Sequence, residues 1–516
     1  MTAVARGWEL EAEVAASLPA LAWVARVTPG HIRAVCGKSV QIETDALFEG
    51  TWAGPESLTE LPDQTTIFGS GLVIRSNEAI VVTPSHHLEG VHSATAADGS
   101  VMVANSLAGA LVGAHLELDP GFDYPSLLTE DLDRWHLLED EKASPPRPIY
   151  GALQPIPTTT SQLTTHFFEN AVIGEDLAVR VRRKPRERPF ESFADFHERL
   201  LSTTRSLFEN ARPYEPIVSL SGGYDSTAVA VVAAEAGCKR AFGFETSRPA
   251  RSDASTVDSG RAAADRLGLS YSVHDRLSYR VAEGAPEAEF LSTGMVGEEV
   301  VFAAAEGELH RSTMLTGYWA GTQWGMSRRD DWLHMVPSTT AGTSLTEFRL
   351  RADFYDVPLP VFGAAQARGD PSLLDLDEMD PYRIKSLGHY DRPIPRRLIE
   401  EAGIPRGTFA SKKRAVNVLL QHDALANFSA GTQHAVAAFA AAERRTMPTS
   451  PRPRLSKFER AMLRLAEPLH AGPLVRGTER RRMALQHFEP QLGNLLFRWA
   501  AKEMRPRYAA TERLWQ

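Results

Sequence analysis

The sequence predicts an α/β protein with a parallel sheet in its middle third, and three observations carry that expectation. From about residue 191, apolar runs alternate with helical stretches: EPIVSL, DSTAVAVVAAEAG, RAFGFET, then STVDSGRAAADRLG. Strands separated by helices of this length indicate βαβ units, whose strands run parallel. Both helical stretches end on a glycine, Gly237 and Gly268, the residue that most easily caps a helix. Finally, residues 217–226, IVSLSGGYDS, break a buried strand on two glycines and set a carboxylate behind them.

Before that region, FGSGLVIRS, AIVVTPS and SVMVANSL are short strands bounded by turn residues. The Pro- and Thr-rich ASPPRPIYGALQPIPTTTSQLTTHF suits a domain edge or an extended connection. LAVRVRRKPRERP is expected to be a solvated basic surface, with a phosphate-facing role as the lesser alternative. ESFADFHERLLSTTRSLFEN places Phe193, Phe196 and Leu200 on one helical face. SYSVHD and STMLTG supply further strands, and NFSAGTQHAVAAFAAAERR a helix. RTMPTSPRPRLS is a linker, and LSKFERAMLRLAEPL opens a basic helical tail. The expected units are residues 1–185, 190–445 and 455–516.

At 516 residues the chain is too long for one compact core. Its net charge of −9 argues against a general nucleic-acid or membrane-surface binder. Cys36 and Cys238 form no CxxC pair, which excludes a disulfide framework or a cysteine zinc site and fits a reducing cytoplasm. The acidic start MTAVARGWELEAEV is unlike a secretory leader, and no apolar run reaches membrane-helix length. Nothing in the sequence sets the oligomeric state.

Ser221-Gly222-Gly223 follows one strand and precedes one helix, the position where parallel sheets bind ligands. Glycines let the backbone approach an anion, the helix start adds partial positive charge, and Ser221 and Ser226 offer hydroxyls. Asp225 would repel a bare phosphate, so it is expected to hold a magnesium ion bound with that phosphate. A ligand-free strand-to-helix turn is the plain alternative. The loop has no Walker-type lysine, so a phosphate lysine must come from elsewhere.

SGGYDS resembles the SGGxDS pyrophosphate loop of the ATP-pyrophosphatase superfamily. Residues from about 191 to 445 resemble the synthetase domain of asparagine synthetases, β-lactam synthetases and lasso-peptide cyclases. The resemblance implies a Rossmann-like parallel-sheet domain using ATP and Mg2+. A carboxylate is adenylated, an amine attacks the acyl-adenylate, and AMP and pyrophosphate leave.

The family's second signature, TGxGGDE, corresponds to Thr316-Gly317-Tyr318-Trp319-Ala320-Gly321-Thr322, with Gly321 where a second magnesium Asp is expected. Asp330 and Asp331 are substitute acids or a solvated turn. The resemblance implies pyrophosphate-neutralising lysines after this signature. Lys412 and Lys413, before the expected helix AVNVLLQHDAL, fit that role or are an exposed basic helix start. Arg396, Arg397 and Lys385 are weaker alternatives, with a structural salt bridge expected for at least one of the arginines.

Glu299, with Glu298, opens an expected apolar helix. It either orients the attacking amine or simply complements the helix dipole. Fold analogy puts Thr246 and Glu245 near adenosine. Gly317 belongs to the same nucleotide site, while His86-His87 is expected in an exposed turn. The family's glutaminase nucleophile is a cysteine at position 2, where this chain has Thr2, and an Arg-Gly-Pro-Asp loop is missing.

The N-terminal part is therefore expected to be a degenerate, Ntn-hydrolase-like α+β domain without glutaminase activity. The combined expectation is an AMP-forming amide ligase acting on a natural product or peptide. The alternative is a non-catalytic nucleotide-binding relative. A tRNA-thiolating relation is disfavoured by the absence of paired cysteines and of basic surfaces.

Overall fold

The computed structural model describes residues 8–124, 155–244, 246–247, 258–324, 341–363, 373–384, 391–406, 415–422, 425–445 and 488–516. The first half is built from strands β1 Glu9–Val14, β2 Trp23–Thr28, β3 His31–Cys36, β4 Gln41–Glu43, β5 Ala46–Trp52 and β6 Ile67–Arg75. It continues with β7 Glu78–Val82, β8 Val91–Thr95, β9 Val101–Ala104, β10 Ile156–Pro157, β11 Gln162–His166, β12 Asn170–Ile173 and β13 Val179–Arg182. They form two sheets, ordered β1-β3-β2-β9-β8-β11-β10 and β13-β12-β7-β6-β5-β4.

Alternation along these strands explains the stacking. Trp23, Ala25 and Val27 of β2 face Leu47, Leu72 and Val81 of the second sheet in one buried cluster. The opposite residues of β2 and β9, Val24, Met102 and Ala104, turn outward beneath the helix Leu107–Gly113. The predicted strands match β6, β7 and β9. The Pro- and Thr-rich stretch is not merely a connection, since β10 and β11 complete the first sheet.

The second half holds a five-stranded sheet, β14 Glu215–Ser219, β15 Arg240–Phe244, β16 Ser270–His274, β17 Ser312–Thr316 and β18 Tyr355–Pro358, ordered β16-β15-β14-β17-β18. Every pair in it is parallel. The α/β class therefore holds. The helix Phe193–Asn210 buries Phe193, Phe196, Leu200 and Leu207, a 3–4 spacing, and Ser192 caps it by accepting from the Asp195 amide. The helix Tyr224–Glu235 is buried almost all round by Ala and Val, as a crossover helix between layers must be. Gly268 ends the helix Arg261–Leu267 in the left-handed conformation, φ 66°.

Two predicted α-helices are absent among the described residues. GEEVVFAAA forms a 3-10 segment, Glu298–Ala305, followed by a short α-turn. Residues 415–422 contain a 3-10 turn at Leu420–His422. The linker and LSKFERAMLRLAEPL lie outside the described residues. The end of the chain forms a helix, Pro490–Met504, and a 3-10 segment, Arg505–Trp515. It joins the core of the first half, with Tyr508 and Leu514 buried and Trp515 Nε1 donating to the Gly113 carbonyl at 2.9 Å. Cys36 and Cys238 are both free and buried. No helix among the described residues is long and apolar enough to cross a membrane.

Candidate functional site

After β14 the chain builds β15 and β16 on one side, then returns to build β17 and β18 on the other. The loops leaving β14 and β17 therefore part in opposite directions, and the crevice between them is the sheet's topological switch point. SGGYDS leaves β14 and TGYWAG leaves β17.

Within the first loop the amides all point at oxygen. Ser221 N donates to Ser226 Oγ at 3.1 Å, Gly223 N to Ser221 Oγ at 3.2 Å, and Gly222 N to Asp258 Oδ1 at 3.0 Å. Ser221 and Ser226 hydroxyls lie 2.9 Å apart. Thr227 Oγ1 closes the first helical turn by donating to the Gly223 carbonyl at 2.7 Å. An amide at a helix start that donates to a buried carboxylate, as Gly222 does to Asp258, is chemically suited to a phosphate oxygen. Asp258 was missed from the sequence, and its one cue is its place just before a crossover helix.

Gly317 holds the two loops together. A Cβ there would lie 2.9 Å from both Asp225 C and Ser226 N, so any side chain would push the second loop off the first. Ser221, Gly222, Gly223, Asp225, Ser226 and Gly317 are thus brought into one crevice. Thr246 stands at the end of β15, where Arg276 Nε donates to its hydroxyl at 3.2 Å.

Gly321 gives the clearest departure. A Cβ on it would come 3.0 Å from Arg392 Nη2, and Arg392 Nε is 3.8 Å from Asp225 Oδ1. A guanidinium thus reaches the space that the absent side chain leaves. Arg392 immediately precedes the helix Pro393–Glu401, which lies against Tyr224–Glu235 through Arg396, stacked 5.1 Å over the Tyr224 ring. Sequence reasoning singled out Arg396 and Arg397 but passed over Arg392. Arg396 and Arg397 are structural: Arg396 is fully buried against Asp391 at 2.7 Å, and Arg397 bridges Glu378 and Glu401.

These residues do not fit a magnesium ion held by the protein. Asp225 is a single carboxylate with a cation beside it, and no group of three His, Cys, Asp or Glu among the described residues is arranged to hold a metal. Thr2, Glu245, Asp330, Asp331, Lys385, Lys412 and Lys413 lie outside the described residues.

Glu299 is fully buried, accepting from Gly342 N at 2.6 Å and from Ser344 Oγ. Burial first, then the neighbouring Glu298 charge, pushes its carboxyl up to about 8. A carboxyl so raised does not act as the expected dipole-complementing anion, while a pKa near neutral pH is compatible with the expected role toward the attacking amine. It stands behind the signature loop, where burial first, and then the nearby Glu299 and Asp356 carboxyl groups, raise the Tyr318 phenol well above its ordinary value. His86 and His87 correct the exposed-turn expectation. Both are buried and kept neutral by desolvation, and the His87 ring lies 4.1 Å from the Trp319 ring. The basic run LAVRVRRKPRERP also departs from a wholly solvated surface. Lys184 is buried, with Nζ donating to the Thr83 carbonyl at 2.6 Å, and desolvation lowers it to about 7.

No family model matches the chain. No curated protein matches it either. Among solved structures it is similar to the glutamine-dependent NAD+ synthetase from Acinetobacter baumannii in complex with adenosine diphosphate (ADP), at 14% identity and a TM-score of 0.19, over 51% of this chain and 53% of that one. The chain spans about half the length of that synthetase, and so loose an overlay carries no argument. The function of this chain has to be argued from its own residues.

Proposed function

We propose that the chain is an ATP-dependent, AMP-forming amide ligase without glutaminase activity. The observation that supports this best is the SGGYDS loop at the switch point of a parallel sheet, held against the β17 loop by Gly317. The amides of Ser221, Gly222 and Gly223 then bind the phosphates, with Asp258 yielding the Gly222 amide when they arrive. Arg392 supplies the positive charge that the departing pyrophosphate needs. A substrate carboxylate oxygen attacks the α-phosphorus and the α–β bridging bond breaks, releasing pyrophosphate. An amine then attacks the acyl carbon, the bond to AMP breaks, and the amine's proton passes to solvent or a base. In this reading the substrate is a peptide or natural product that carries the attacking amine itself.

One observation favours a second reading, nucleotide binding without chemistry: Gly321 and Arg392 together replace a carboxylate by a guanidinium. Calorimetric ATP titration, followed by ATP–pyrophosphate exchange over a panel of carboxylic acids, separates the two. Binding with exchange supports the ligase, and binding without exchange supports the second reading. No binding at millimolar ATP overturns both.

A further inference from the structure

Between the outer face of the first sheet and the second half of the chain lies a cavity of about 760 Å³ of empty space, its open mouth included. Its walls are mostly apolar, from Leu88, Leu107, Ile156, Phe167, Met295 and Phe497. Among the described residues Glu89 is the charged residue on the wall, and its carboxylate is already engaged by Arg349 Nε at 2.7 Å. Arg349 in turn binds Glu49, also at 2.7 Å, so among the described residues the wall presents no spare charge to a ligand.

Two histidines stand on the wall among Thr165, Thr293, Thr343 and Thr346. His92 is fixed by Nδ1 against Thr165 Oγ1 at 3.0 Å. His87 is 5% exposed, and neither of its ring nitrogens has a hydrogen-bond partner among the described residues. A buried imidazole without partners is costly, and an incoming hydrogen-bonding group relieves that cost. The same ring touches Trp319 of the loop after β17, so the inner end of the cavity adjoins the nucleotide crevice.

We infer that this cavity binds an uncharged molecule, or the uncharged part of one, with an apolar body and one hydrogen-bonding group that meets His87. The apolar lining suits a small organic ligand, and among the described residues no unpaired wall charge favours an ion. If the ligase reading holds, this occupant is the organic substrate's apolar portion, and the inference rests on that reading for the word substrate alone. Binding itself does not need nucleotide.

The test is therefore made on the full chain without ATP, using benzamide as the uncharged probe and benzoate as its charged counterpart, by calorimetry and tryptophan fluorescence at pH 7. The expected result is a Kd for benzamide of roughly millimolar, as suits so small a ligand, with benzoate at least tenfold weaker. His87→Leu weakens benzamide fivefold or more, and Met295→Trp, which fills the space, abolishes binding. His87→Gln, which retains a hydrogen-bonding group, recovers part of the affinity lost in His87→Leu. Equal affinity for benzamide and benzoate, or benzamide binding indifferent to both His87→Leu and Met295→Trp, overturns the inference. So does an absence of benzamide binding to its solubility limit. If ATP fails to bind while benzamide binds as stated, the ligase reading falls and the cavity assignment stands.

Discussion

The guanidinium of Arg392 lies 3.8 Å from the carboxylate of Asp225, beside Gly321, which has no side chain to interpose. That relationship turns an expected pair of magnesium carboxylates into an acid–base pair at the mouth of a phosphate-type loop. In the proposed site, charge compensation comes from the protein's own cation.

Removing that cation is the direct test. Arg392→Ala is expected to weaken ATP binding about 10- to 100-fold, the range for losing a charged hydrogen bond of roughly 1.5–3 kcal/mol. Gly321→Asp places a carboxylate where it captures Arg392, so by itself it brings no gain in magnesium affinity. The double variant Gly321→Asp with Arg392→Ala gains magnesium dependence. Calorimetry with and without magnesium reads all three. Unchanged ATP affinity in Arg392→Ala would show that the guanidinium is not on the phosphates.

Gly317 tests the contact between the loops. In Gly317→Ala the new methyl meets backbone atoms of Asp225 and Ser226 at 2.9 Å, too close to accept without movement. A loss of about 1–3 kcal/mol of stability is expected from overpacking, together with at least tenfold weaker ATP binding. Denaturant midpoints and calorimetry measure the two separately. Wild-type ATP affinity in a folded Gly317→Ala protein would detach the β17 loop from the nucleotide site.

Much of this site was legible because its logic is local. A strand, two glycines, an acid and a helix lie within residues 217–235, and β15, β16 and β17 announce themselves as short apolar runs. Arg392 was not legible. It is set by where the helix Pro393–Glu401 docks on Tyr224–Glu235, a contact between segments more than 150 residues apart. The same holds for His87, whose sequence neighbours suggest a turn while its burial comes from Trp319 and the interface between the two halves. β18 was missed because YDVP offers too few residues for alternation to show, and the buried Asp356 interrupts it.

The interface of the two halves carries a second prediction about stability. Arg349 is buried between Glu49 and Glu89, with further donors to Glu49 from Ser70 and Asn105. Arg349→Met leaves two carboxylates buried without their cation and is expected to cost about 3–5 kcal/mol. Adding Glu49→Gln and Glu89→Gln recovers a large part of it, since the stranded charges are then gone. Urea denaturation of the single and triple variants reads this. Equal stability of Arg349→Met and wild type would mean that the network does not hold the halves together.

Glu299 gives the pH dependence. Its carboxyl is raised from an ordinary 4.5 to about 8, so between those values the unfolded chain has released a proton that the folded chain keeps. Stability attributable to the protonated side chain is fully present below about 4.5. It is lost as pH rises toward about 8, at no more than about 1.4 kcal/mol per pH unit. One oxygen accepts from the Gly342 amide and the other from Ser344 Oγ, and burial outweighs both contacts in setting the shift. Glu299→Gln keeps the shape without the titration, so its stability relative to wild type rises between pH 6 and pH 8.5 by about 1 kcal/mol or more. Buried groups elsewhere, Lys184 among them, titrate equally in both proteins and cancel in the difference. Parallel pH profiles for the two would show that the Glu299 carboxyl is not raised in the folded chain.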